Sequence, residues 1–132
     1  MSFTSPSDDI AIQEGTFAFS YQASGEIKRG QGVEPIGTMQ VRAIPAGTTI
    51  GKCIGVAAND KSDGDMIAVY GPGNIVRVIV SGSSKCTVGV PMYCTAEGKF
   101  TSGDSSYLVS GIKAFPLETQ STANGTARVL LV

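Results

Sequence analysis

The sequence predicts an all-β fold, a small β-barrel or β-tulip-like domain carrying an extended N-terminal arm. Three observations support that prediction. Seventeen glycines and six prolines in 132 residues cut the chain into short segments, the pattern of many strands joined by turns. Those segments alternate or run β-branched, and no stretch shows ten residues of 3.6 periodicity, which leaves room for at most one or two short helical turns. The hydrophobic share of 42% is enough for one real core, while the length is too short for two ordinary domains.

Taken in order, residues 1–16 read as a polar arm. Ser2, Thr4, Ser5, Pro6, Ser7, Asp8 and Asp9 dominate it, and Phe3, Ile10 and Ile12 are isolated apolar points. Alternation begins at Phe17, Phe19 and Tyr21, with Ala18 and Ser20 between them, the period of a half-buried strand. Residues 17–132 then form one β domain. Met39 to Ile44 is a strand stopped by Pro45, and Ile50 to Ala58 is apolar with glycine interruptions. Met66 to Tyr70 is closed by Gly71-Pro72-Gly73, and Ile75 to Val80 is the strongest strand signal in the chain, β-branched and almost wholly apolar. Pro91 to Cys94, Phe100 to Thr101, Tyr107 to Phe115 and Thr126 to Val132 complete the set. Asn124-Gly125 is a hairpin-turn signal, because both central residues of a type I′ turn need positive φ. A weak internal echo divides the domain into two β units, about 25–80 and 83–132, and a duplicated unit of this kind builds a closed or nearly closed barrel.

Charge narrows the function. Lys and Arg number 10 against 11 Asp and Glu, a net charge of -1, and the basic residues never cluster. That gives no electrostatic footprint for nucleic acid. The charged share of 16% is well below the roughly 25% of a typical soluble domain, so much of the surface must be Ser, Thr, Gly and Gln. The first residues show no basic region followed by an apolar stretch, so no signal peptide is expected. No apolar run reaches the length of a membrane helix. Cys53, Cys86 and Cys94 are odd in number and lack CxxC spacing, which reads as reduced, buried thiols made in a cytoplasm.

The chain contains no histidine, which removes the usual acid-base group, the commonest metal ligand and the Ser-His and Cys-His nucleophiles together. Gly47 to Cys53 resembles a phosphate-binding loop but has three residues between its glycines where four are needed, and ends in Cys. Asn59 to Asp65 resembles a calcium loop, yet Lys61 and Tyr70 fall where oxygen ligands belong, so a polar turn is the reading. Asn124-Gly125-Thr126 is a formal glycosylation sequon that reads as a turn. No enzyme activity, cofactor or metal is expected.

Ile54-Gly55-Val56-Ala57-Ala58, the turn at Gly64-Asp65 with its following strand, Val88 to Tyr93, Gly98 to Thr101, and the closing Gly125 to Leu130 together resemble the lambda-type head decoration (cement) proteins of tailed phages. The resemblance covers roughly residues 25–132 and lies in turns and apolar strands. It implies a virion protein made in the host cytoplasm that binds the outer surface of an expanded icosahedral capsid. Its partner would be the major capsid protein, whose neighbouring subunits it would bridge, acting as a homotrimer or other homo-oligomer without nucleic acid or membrane. In such relatives the arm orders by adding to a capsid strand, a mode that needs main-chain hydrogen bonds and a few anchors. The candidate capsid-binding residues are therefore Phe3, Ile10, Ile12, Phe17, Phe19 and Tyr21, the last three also suited to ordinary core packing.

The alternative reading is a glycan-binding or adhesin-like module of a virion, with Tyr21, Tyr70, Tyr93 and Tyr107 as stacking faces. A small RNA-virus coat protein of similar length is disfavoured by the missing helices and basic surface.

Overall fold

The computed structural model describes residues 18–45, 52–81, 86–102, 109–120, 122 and 125–132. The chain is all-β, as expected. Among the described residues ten strands follow one another: β1 Ala18–Ala23, β2 Gly32–Gly37, β3 Gln40–Ala43, β4 Gly55–Ala57, β5 Met66–Tyr70, β6 Ile75–Ile79, β7 Met92–Cys94, β8 Phe100–Thr101, β9 Val109–Pro116 and β10 Thr126–Leu131. A 3-10 turn, Ala96–Gly98, lies between β7 and β8.

The first five strands close into a barrel in the order β1-β3-β2-β4-β5, with β5 returning antiparallel to β1. The last five form a second sheet in the order β6-β10-β9-β7-β8. That sheet curls, because Val80 just beyond β6 makes a parallel bridge to Phe100 of β8 and Ser81 N–H donates to Phe100 O at 2.8 Å. The bridge brings the two edge strands of the sheet together at that point, leaving less edge free to pair with other chains. The boundary between barrel and second sheet is the turn at Gly71–Asn74, held by the Asn74 amide donating to Gly71 O at 2.9 Å.

Strand alternation sorts the barrel residues into two cores. Inward-facing Ala23, Val33, Val41, Ala57, Ile67 and Val69 fill the barrel together with Ile27. Outward-facing Val56 and Tyr70 instead join Val76, Val78, Met92, Phe100, Ala114, Val129 and Leu131 of the second sheet in a larger cluster. The barrel therefore packs against the second sheet through an apolar face, and one core runs through both. A direct backbone link adds to it: Cys53 bridges Gly111 in parallel, with Ile112 N–H donating to Cys53 O at 3.0 Å. Gly111 sits at φ 123, and a Cβ there would approach Cys53 O to 2.2 Å. Only glycine permits that approach.

Most expected strands form within one or two residues of their predicted ends. The differences are local. β2, with the sequence Gly-Val-Glu-Pro-Ile-Gly, carries only a weak strand signal, since glycine, proline and a carboxylate all weaken one. It forms because Val33 enters the barrel core and Glu34 finds Arg42 directly across β3. Pro35 is tolerated where the register shifts into a bulge between Pro35 and Gly37, and where β4 pairs only with Gly32 and Val33. The strand expected over Ile50 to Ala58 is confined to Gly55–Ala57 in the described part.

The turn expected at Asn124-Gly125 lies partly outside the described residues, and Gly125 N–H donates to Thr122 O at 3.0 Å. β9 ends at Pro116, and the connection detours so that Gln120 pairs with Cys86. The Gln120 carboxamide then accepts from Thr122 N–H at 2.7 Å and donates to Thr126 O at 3.0 Å. Asn124 itself lies outside the described residues.

Candidate functional site

The expected docking residues divide sharply. Phe3, Ile10, Ile12 and Phe17 lie outside the described residues. Phe19 and Tyr21 lie on β1, opposite Val69 and Ile67 of β5, and both have the inward phase of the strand. Tyr21 packs against the barrel core, so core packing accounts for it. Phe19 does not: its side chain is 59% exposed.

The reason lies in how β1 is flanked. Along β5 it is paired from Ala18 to Gln22, but along β3 the pairing covers only Gln22 and Ala23. Gln22 and Ser24 direct their N–H groups to Met39 O and Val41 O, both at 2.8 Å. Backbone groups of a strand alternate in direction, so those of Ala18 and Ser20 point toward the same side. No described strand lies there. Among the described residues the first half of β1 therefore has no strand partner on that side, and an exposed phenylalanine lies beside it.

The outer face next to this half of β1 is uncharged. Gln22, Gln40 and Met66 form one row across β3, β1 and β5, and Gln40 Nε2 donates to Gln22 Oε1 at 3.2 Å. Met66 is 60% exposed and Met39, in the turn before β3, 57%. Met39 also holds φ at 54 without being glycine, an uncommon conformation for such a residue. Ala18, Ser20 and Thr38 continue the exposed surface. Neither methionine was a candidate from the sequence, because an isolated Met beside a turn carries no periodic signal; their exposure is a property of the barrel's geometry.

Two shallow polar grooves lie elsewhere. One, of about 350 Å³, is lined by Glu26, Ile27, Lys28, Asp60, Lys61, Ser62 and Asp65. Its carboxylates have structural duties: Asp60 accepts from Arg29 N–H at 2.7 Å and Asp65 from Ser62 N–H at 3.1 Å. The neighbouring Asp63 accepts from Gly25 N–H at 2.7 Å. The loop that looked like a calcium site thus pins the Gly25 to Arg29 segment to the barrel. No group of metal-ligating side chains converges among the described residues. The other groove, of about 320 Å³, lies along Lys28, Gln31, Ile44, Ile79, Glu97 and Lys99, where Lys99 and Glu97 pair at 3.1 Å.

The described tyrosines do not gather into a stacking platform. Tyr70 is buried between barrel and sheet, Tyr21 is half-buried in the barrel, and the Tyr93 ring is covered by the Lys113 ammonium at 5.9 Å. Tyr107 lies outside the described residues.

No protein-family model and no curated protein sequence matches the chain. Among solved structures, the chain is similar to the N base of head fiber gp8.5 of bacteriophage phi29. The TM-score is 0.58 at 18% identity, over 88% of this chain and 93% of that one. The likeness spans barrel and second sheet alike, and at that identity what the two chains share is the fold.

Proposed function

We propose that this chain is a non-enzymatic structural protein of a tailed-phage head. It docks on the outer surface of the expanded capsid and stabilises the shell by bridging neighbouring major capsid subunits. The observation that carries this reading is the fold shared, over nearly the whole of both chains, with the base of a phage head fiber. The edge of β1 that no described strand covers supports it at the level of mechanism. A partner strand laid along Ala18 to Tyr21 would gain main-chain hydrogen bonds, and exposed Phe19 would supply an anchor. The polar segment of residues 2–16 leads directly into that edge, with Phe3, Ile10 and Ile12 spaced along it. Ordering such a segment costs affinity, and a repeated lattice recovers it through multivalency. An uncharged outer face suits contact with a protein surface better than with nucleic acid. A homotrimer, or another homo-oligomer, is the form proposed on the shell.

The test is co-sedimentation of the purified chain with expanded, undecorated shells of the capsid protein encoded beside it, with unexpanded shells as control. Saturable binding to expanded shells alone is the expected result. Deleting residues 2–16 should abolish that binding while leaving the melting temperature unchanged. Failure to bind either shell would overturn the reading, and full binding by the truncated chain would overturn the role of the arm.

A further inference from the structure

Two of the three cysteines meet in the core that joins barrel to second sheet. Cys53 precedes β4 of the barrel, Cys94 ends β7 of the second sheet, and both are buried. A Cβ placed on Gly32 would lie 2.6 Å from Cys94 Sγ and 3.0 Å from Cys53 Sγ, so both sulfurs crowd one point above the β2 backbone. The absence of a side chain at Gly32 is what makes room for them. The Cys94 thiol is within hydrogen-bonding reach of the Cys53 thiol, and each sulfur also lies near a backbone carbonyl: Cys53 Sγ is 3.5 Å from Gly55 O and Cys94 Sγ 3.7 Å from Thr95 O. Cys86 is separate, its thiol directed to Glu118 O at 3.4 Å.

We infer that Cys53 and Cys94 are a latent dithiol that a small peroxide oxidises to a disulfide, stapling the barrel to the second sheet. One thiolate attacks the O–O bond of hydrogen peroxide, giving a sulfenic acid and, after protonation, water. The second thiol then displaces the sulfenic oxygen, which leaves as a second water. In sum two thiols and one peroxide become one disulfide and two waters, the dithiol losing two electrons and two protons.

Burial governs the rate. The Cys53 thiol at its side, followed by loss of solvation, pushes the Cys94 thiol far above the ordinary thiol range. Its thiolate is therefore scarce and the closure slow. A chain made in a reducing cytoplasm would stay reduced there and be stapled afterwards in an aerobic medium. That biological sense rests on the virion reading above; the chemistry does not. A bond between residues 53 and 94 closes a long loop of the unfolded chain, so the melting temperature should rise on the order of 10 °C.

The test uses the purified full chain incubated with hydrogen peroxide, with dithiothreitol as control. Intact mass should fall by two hydrogens, and non-reducing peptide mapping should join Cys53 to Cys94. The melting temperature should rise and return to its starting value on reduction. Cys86→Ala should keep all of this, while Cys53→Ala and Cys94→Ala, each a small apolar replacement in a buried place, should lose the cross-link. If the oxidised chain gains oxygen atoms without an internal cross-link, or cross-links between chains through Cys86, the inference is wrong. Shell binding plays no part in the readout, so failure of the capsid reading would leave this result intact.

Discussion

Glu34 is a carboxylate with no solvent exposure, on the face of the barrel that meets the second sheet. A buried charge is tolerable only when paired and hydrogen-bonded. Arg42 supplies both from the directly opposite position on β3, its Nε donating to Glu34 Oε2 at 2.7 Å. Arg42 itself is a third exposed, so its guanidinium keeps part of its hydration while its partner has given up its own. Arg42→Ala should therefore lower the free energy of unfolding by about 3 kcal/mol, the low end for a broken buried pair, as read by urea denaturation. A loss below about 0.5 kcal/mol, the scale of an ordinary surface change, would mean that other groups already neutralise the carboxylate. Gly32, two residues earlier, poses the opposite problem, too little room instead of too much charge. Gly32→Ala should cost about 1–3 kcal/mol by overpacking against the two sulfurs. Adding Cys94→Ala should recover part of that loss, since the nearer of the two obstructing atoms is then gone. Strictly additive costs in a double-mutant cycle would show that the crowding at Gly32 is not felt.

At the scale of elements, the β6–β10 pair sets Arg77 directly opposite Arg128, a like-charge juxtaposition that destabilises a sheet unless something intervenes. Glu118 intervenes: its Oε1 takes Arg77 Nη1 at 3.4 Å and the Arg128 backbone N–H at 2.8 Å. Glu118→Gln should cost about 1 kcal/mol in low salt, with a smaller deficit in high salt as screening relieves the arginine pair. A deficit independent of salt would show that the charge of Glu118 is not what offsets the arginine pair. These facing strands were legible from sequence because their signal is local: Ile75 to Ile79 and Thr126 to Leu131 alternate or run β-branched with nothing to interrupt them. β5 and β8 were legible for the same reason. β2 was less so, because much of the evidence for it lies elsewhere in the chain, in Arg42 across from Glu34 and in the barrel cavity that takes Val33. The surface proposed for docking combines residues that the sequence pointed to with residues that it did not. Phe19 stood out as an aromatic on an alternating strand. Its exposure depends on where β3 begins, and that of Met39 and Met66 on how β1 lies between β3 and β5, so neither can be read from a window of neighbouring residues. Phe19→Ala should weaken binding to expanded shells at least tenfold and leave the melting temperature within about 2 °C. Unchanged affinity would move the contact away from the edge of β1.

At the scale of the whole molecule, the question is whether barrel and second sheet melt separately. Each has its own hydrogen-bonded ladder, and the turn at Gly71–Asn74 joins them without further chain. Yet the larger of the two cores is shared: Val56 and Tyr70 of the barrel pack in the same cluster as Val76, Val129, Leu131 and Phe100 of the second sheet. The parallel bridge between Cys53 and Gly111 ties the backbones at the same interface. Losing either sheet would expose the other's apolar face to water, at roughly 25 cal/mol for each Å². The two should therefore unfold as one cooperative unit, with calorimetric and van't Hoff enthalpies equal. Paired substitutions sharpen the test. Ile67→Ala removes side-chain volume from inside the barrel and Phe100→Ala from the second sheet, at costs of about 2–5 and 3–5 kcal/mol. Under a shared core each should move the whole transition downward without splitting it. If Phe100→Ala instead produced a second, lower transition while the barrel melted at its original temperature, the interface would be a weak contact between independent halves. Bridging of capsid subunits would then require the shell itself to hold those halves in register. A single transition would mean that a load applied at β1 is carried through the common core into the second sheet, the rigidity that the proposed clamping role calls for.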